Sequence, residues 1–185
     1  MKKSIGVLGL LAVGFMFACG TAINVWAGSA AQIDANVNAT LDRFYDKILD
    51  GKKLAQSAKG VLVFPNVYKA GLGIGGEFGE GALRINGKTV DYYDTIAGSF
   101  GFQLGAEKKS MILLFMQDEA LDRLRSSSNW KIGADASVTL IAIGADGSID
   151  TQKLNQPILG FVLGQKGLMY NLTLEGTKIT KVKKS

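Results

Sequence analysis

The chain has 185 residues, 47% of them hydrophobic and 20% charged, with a formal net charge of +5, 24 glycines, two prolines, one cysteine and no histidine. The missing histidine excludes a Ser-His-Asp triad, a Cys-His pair and any histidine-ligated metal, and the single Cys19 excludes an internal disulfide, a redox pair and a four-cysteine metal site. Glycine makes up about 13% of the chain against a usual ~7%. Prolines are nevertheless scarce and apolar residues plentiful, so this glycine belongs to a packed fold rather than to disorder.

Lys2 and Lys3 precede an apolar run, Ile5 to Ala18, and no charge appears before Asp34, which is the pattern of an export signal. Val25-Trp26-Ala27 before Gly28 places small residues where a signal peptidase reads them, and cleavage there is the favoured expectation. Phe17-Ala18-Cys19-Gly20 resembles a lipoprotein box that would put a lipid anchor on Cys19, and an uncleaved anchor reaching Trp26 is a third reading. Under the first reading residues 1–27 are a signal peptide and 28–185 one domain, periplasmic or secreted, with 19 basic and 16 acidic residues.

In the exported part, Ile33, Val37, Leu41, Phe44, Tyr45 and Ile48 recur at helical spacing, with Asp42, Arg43, Asp46 and Lys47 opposite, predicting an amphipathic helix over 30–49. A short helical turn, Lys52 to Ala58, leads into Gly60–Pro65, a buried strand expected to close at its proline. Asn86-Gly87 between alternating segments predicts a tight hairpin. From Ile96 to Gly105 one strand face is bulky (Ile96, Phe100, Phe102, Leu104) and the other nearly bare. A turn at Glu107–Ser110, a central strand Met111–Met116 and a helix Asp118–Arg125 come next. Strands follow near 131–143, 157–164 and 168–175, with turns at Ala145-Asp146-Gly147 and Gln165-Lys166-Gly167. The fold class is α+β: a single glycine-rich, mostly antiparallel curved sheet or partial barrel, covered by the N-terminal amphipathic helix and short helices.

Gly71-Leu72-Gly73-Ile74-Gly75-Gly76 matches G-x-G-x-x-G and has Asp91 twenty residues on, as a dinucleotide site would. That site needs a helix opening at the third glycine, whereas Glu77-Phe78-Gly79-Glu80-Gly81 keeps the glycine spacing of an extended segment and adds negative charge. Asp146-Gly147-Ser148-Ile149-Asp150 opens like a calcium loop, but Thr151 and Pro157 occupy its sixth and twelfth positions, so a hairpin turn is expected. The acid groups Asp91/Asp94, Glu77/Glu80 and Asp118/Glu119/Asp122 carry no sign of a shared cleft, and Ser126-Ser127-Ser128 lacks the company of a nucleophile. No catalytic residue, metal or cofactor is expected.

The basic residues offer a softer signal. Lys52, Lys53, Lys59, Lys69, Lys108 and Lys109 lie near the helix and its following strands, and Lys178, Lys181, Lys183 and Lys184 form a basic C-terminal tail. Lysines beside an amphipathic helix attract anionic lipid at about 1 kcal/mol each, while a mildly basic body without an aromatic-lined strip does not point to nucleic acid.

Ala58-Lys59-Gly60-Val61-Leu62-Val63-Phe64-Pro65, then Gly71–Gly76, Gly101-Phe102-Gln103-Leu104-Gly105-Ala106 and Gln165-Lys166-Gly167-Leu168 leading to Leu174-Glu175-Gly176 resemble the SYLF domain, also known as the actin-patch-associated domain of yeast. The resemblance runs from about Asp34 to Ile179 and implies a glycine-rich curved sheet and binding of phosphoinositide or anionic lipid through a helix and a basic surface. Members often carry a tryptophan followed by a proline where this chain has Asp91-Tyr92-Tyr93-Asp94-Thr95. An exported bacterial chain meets no actin, so the reading that carries over is an anionic phospholipid or membrane surface. The expectation is a non-enzymatic, membrane-associated envelope module, with Lys52, Lys53, Lys59, Lys69, Lys108 and Lys109 as candidate lipid contacts. The alternative is a structural or assembly protein that binds an envelope partner through a sheet edge or the helix.

Overall fold

The computed structural model describes residues 28–101, 107–164, 167–168 and 174–185. Residues 1–27 with Cys19, the 102–106 part of the expected glycine-rich strand, 165–166 of the expected turn and 169–173 of the last expected strand lie outside the described residues.

Ser29 caps the first helix, α1 (Ala30–Lys47), its hydroxyl oxygen accepting from the Gln32 amide at 3.3 Å. The helical spacing places Ile33, Val37, Phe44 and Ile48 on one buried face, with Leu41 and Tyr45 half-buried beside them. A second helix, α2 (Gly51–Ser57), leads into β1 (Gly60–Ile85), β2 (Lys88–Gly101) and β3 (Glu107–Phe115). Helix α3 (Asp118–Ser126) precedes β4 (Asn129–Lys131), β5 (Thr139–Leu140), β6 (Ile158–Gly164), β7 (Gly167–Leu168) and β8 (Lys178–Val182). Among the described residues the strands form one eight-stranded sheet, in the order β4-β8-β2-β1-β3-β6-β5 with β7 on β6, and the pairings there are antiparallel except β5 with β6. The curled sheet with its helices is the expected α+β half-barrel. Asn86 and Gly87 both have positive φ, 51° and 76°, so the hairpin turns where Asn-Gly predicts.

Four local expectations are corrected. Pro65 does not end its strand: the β1–β3 ladder is irregular between Phe64 and Val67, so no ladder N–H is needed there, and the Pro65 carbonyl accepts from Ser110 Oγ at 2.7 Å. Glu107–Ser110 is strand instead of turn, with Lys69 opposite Glu107 and Tyr68 opposite Lys108. The strand expected over 131–143 is broken by a turn in which Gly133 takes φ 90° and the Asp135 amide reaches the Lys131 carbonyl at 2.9 Å. The basic tail starting at Lys178 forms β8, hydrogen-bonded between β2 and β4.

Alternation along the strands gives the sheet two buried faces. On the inner face, Leu62, Phe64, Leu83, Tyr93, Leu113 and Phe115 pack with α3 and Trp130. On the outer face, Val61, Val63, Ala82, Ile112, Leu114 and Phe161 pack under α1 and α2. All buried members of both cores lie between Ile33 and Ile179. The curl depends on Gly79 and Gly81, because the second half of β1 crosses its first half at backbone contact. A Cβ on Gly79 would stand 2.8 Å from the Asn66 carbonyl oxygen, and one on Gly81 would overlap the Val63 carbonyl. Gly71–Gly76 lies within this same continuous strand, with no helix opening after it.

Candidate functional site

Polar contacts fix α1 to the outer face. Asp34 accepts from Thr89 Oγ1 at 2.7 Å and from the Tyr92 hydroxyl at 3.0 Å, and Arg84, largely buried, reaches Asn38 Oδ1 at 2.9 Å. Burial, followed by the bond to Asp34, raises the Tyr92 phenol above its ordinary pKa, so it stays a donor. Further along, Arg43 donates to Ser110 Oγ at 3.0 Å and the Phe44 ring meets Phe161 edge-on at 5.0 Å. The apolar stripe of this helix is therefore consumed by the protein's own core.

The six candidate lysines do not form one patch. Lys52, Lys53 and Lys59 stand at the start of β1, and Lys69, Lys108 and Lys109 about ten residues along it, roughly 30 Å away on an extended strand. In the first group, Lys53 pairs with Asp50 at 2.8 Å, which raises its pKa, and Lys59 pairs with Asp118 at 3.1 Å. An apolar groove of about 520 Å³ lies there between α2 and the 148–154 loop, with Leu49, Leu54, Ile149 and Leu154 in its walls. In the second group, Lys109 points inward, only 6% exposed, and pairs with Glu77 at 2.6 Å, so it is not available to a surface ligand. Lys108 lies over the Tyr68 ring, 5.6 Å from its centre.

This second end brings together residues that the linear sequence keeps apart. Tyr68 (51% exposed), Phe78 (37%) and Ile96 (55%) are three of the large hydrophobic side chains left in solvent. Tyr68 and Phe78 flank a cleft of about 180 Å³ beside Gln32, Ile33 and Asn36 of α1. Phe78 stands directly opposite Ile96, Ile96 opposite Lys178, and Lys178 opposite Lys131. Directly opposed residues project to one side of a sheet. A row Phe78–Ile96–Lys178–Lys131 thus crosses β1, β2, β8 and β4 on the face that α1 covers further along. Among the described residues neither Lys131 nor Lys178 is ion-paired. Lys131 was absent from the candidates because its cross-strand neighbour is 47 residues away, and Lys178 because it reads as tail.

One row inward, Glu80 faces Asp94, and Lys184 pairs with Glu80 and lies 4.0 Å from Asp94. Burial outweighs Lys184 and raises the Asp94 pKa. Asp91 pairs with Lys181 at 2.7 Å and Arg125 at 3.4 Å. Of the acids considered for proton transfer, Glu77, Glu80, Asp91, Asp94 and Asp118 each face a lysine, and Glu119 and Asp122 lie exposed on α3. Asp146 Oδ1 accepts from the Ser148 amide and hydroxyl, which lowers its pKa and closes the expected hairpin turn. No group of three or more metal-ligating side chains occurs among the described residues.

Residues 96–185 match the family model described as Ysc84: Las17-binding protein actin regulator. Through this segment, just under half of the chain, the protein is similar to the SYLF family. No curated protein matches it. Two of the four sequence blocks that carry the SYLF resemblance, 101–106 and 165–176, fall in the matched segment, and two precede it. Ile96, Lys108, Lys131 and Lys178 lie in the matched segment, and Tyr68 and Phe78 are supplied by the strand before it.

Proposed function

We propose that this chain is a non-enzymatic, exported SYLF module that docks on anionic membrane surface through the exposed end of its outer sheet face. The observation that carries this is the row Phe78–Ile96–Lys178–Lys131 with Tyr68 and Lys108 beside it. Aromatic and aliphatic side chains enter the boundary between headgroups and acyl chains, and lysines around them meet lipid phosphates at about 1 kcal/mol each. Lys69 also stands at this end, whereas Lys52, Lys53 and Lys59 do not.

The test is co-sedimentation of the chain from Gly28 with zwitterionic and with anionic vesicles, at low and high salt. Binding should require anionic lipid and weaken with salt. A Phe78→Ser/Ile96→Ser variant and a Lys131→Glu/Lys178→Glu variant should each bind roughly tenfold more weakly or worse. Lys52→Glu/Lys53→Glu should bind like the parent, and loss of binding there instead would move the site to the α2 end. The family description, a Las17-binding actin regulator, favours a second reading in which the same row seats a protein. A protein contact built on Phe78 and Ile96 would persist at high salt and without lipid. Pairing through a sheet edge has less support, because the edge strands β4 and β5 are three and two residues long.

A further inference from the structure

Where the described chain begins, Gly28 approaches a half-buried acidic pair. The Gly28 nitrogen lies 2.9 Å from Glu80 Oε2, while Glu80 Oε1 takes the Lys184 ammonium. Asp94, directly across the ladder, completes the cluster, and its Oδ1 is buried without a hydrogen-bond partner. Among the described residues these two carboxylates thus share one lysine, Lys184, in a place largely shielded from water. The position of Gly28 is fixed from both sides: Ser29 caps α1 immediately after it, and the Ala30 amide donates to the Ser185 carbonyl at 3.3 Å. A Cβ at position 28 would stand 3.3 Å from both Glu80 Oε2 and Ile33, so glycine suits the approach.

We propose that the Glu80 carboxylate is the receptor for a new N-terminus: cleavage of the leader after Ala27 turns the Gly28 nitrogen into an ammonium that pairs with Glu80 and locks the start of α1 to β1 and the C-terminal segment. Hydrolysis breaks the Ala27–Gly28 C–N bond, puts the hydroxyl of water on the Ala27 carbonyl and its proton on the Gly28 nitrogen. The amine then takes a second proton from solvent. Two positive groups, Gly28 and Lys184, then face two negative ones, Glu80 and Asp94. The first turn of α1 contributes no charged side chain, and Gln32 and Asn36 facing the neighbouring cleft are neutral. An ammonium at the positive end of a helix is disfavoured by itself, so this arrangement works only with the carboxylate in place. The inference rests on the export reading and adds a structural consequence to it.

Two measurements separate that reading from this one. The full chain is expressed in an export-competent bacterium and the mature product weighed intact: a product beginning at Gly28 is expected, and one retaining the leader or beginning at a lipidated Cys19 overturns the processing step. The Gly28 product is then compared with its N-terminally acetylated form by thermal unfolding at pH 6–7, in the parent and in Glu80→Gln. Acetylation should lower Tm by several degrees in the parent and not in Glu80→Gln. Equal Tm values for the two parent forms, or an equal drop in Glu80→Gln, overturn the pairing even where cleavage falls after Ala27. Should Glu80→Gln fail to fold, titration of a labelled Gly28 amine in the parent decides. Pairing raises its pKa above the ordinary ~7.7–8.0, so the stabilisation is full below that range and lost as pH rises through the folded value. An ordinary value overturns the proposal.

Discussion

Two stretches of the same sheet face meet different fates. Under α1 the outer face carries Val63, Ala82 and Phe161, and Ile33, Val37 and Phe44 close over them, with Asp34, Arg84 and Arg43 holding the helix in register. Beyond the first turn of α1 the same face carries Phe78 and Ile96 in solvent, flanked by lysines. Both stretches are apolar, and the difference is that only one has a covering element with polar contacts to fix it. An amphipathic helix is the obvious membrane element by sequence, yet its apolar stripe is already spent. What remains for an outside surface is the part of the sheet that the helix does not reach.

The largest effect that would break this comparison comes from the curl that brings the two stretches onto one face. Gly81→Val puts a side chain into the Val63 carbonyl and the Phe64 ring and should unfold the protein or cost more than about 4 kcal/mol. Gly98→Ala on the neighbouring strand, where an added Cβ meets nothing within 4 Å, should change denaturant unfolding by no more than ~0.5 kcal/mol. Next comes Phe44→Ala, which empties a fully buried ring site against Phe161 and should cost about 3–5 kcal/mol by the same measurement. The smallest change separates helix from sheet as the docking element. Asp34→Ala removes the acceptor of Thr89 and Tyr92 and leaves Arg84 less well paired, for about 1–3 kcal/mol and faster amide exchange in the first half of α1. Vesicle binding should stay at the parental level in this variant. A rise on loosening the helix would show that the buried stripe of α1, rather than the exposed row, is what membranes see.

Much of this molecule was legible residue by residue. Ile33, Val37, Phe44 and Ile48 announce a covering helix through their spacing, Asn86-Gly87 its hairpin, and Glu77-Phe78-Gly79-Glu80-Gly81 an extended glycine face rather than a phosphate loop. The break at Gly133 and the passage of β1 through Pro65 were not legible. Both depend on where ladder hydrogen bonds are needed, which is a property of the neighbouring strand.

The candidate site shows the limit most clearly. Ile85 opposite Lys88 across a two-residue turn would, in an unbroken ladder, set Phe78 against Thr95. A bulge between Leu83 and Arg84 slips the register by one residue and sets Phe78 against Ile96. The next neighbours, Lys178 and Lys131, come from β8 and β4, whose places in the sheet no local pattern reveals. The sequence by itself determined the elements, because helix and strand periods and turn chemistry are written in adjacent residues. Only the tertiary structure decided which lysines share a surface and which, like Lys109, are drawn inside, because that follows from strand order, register and curl.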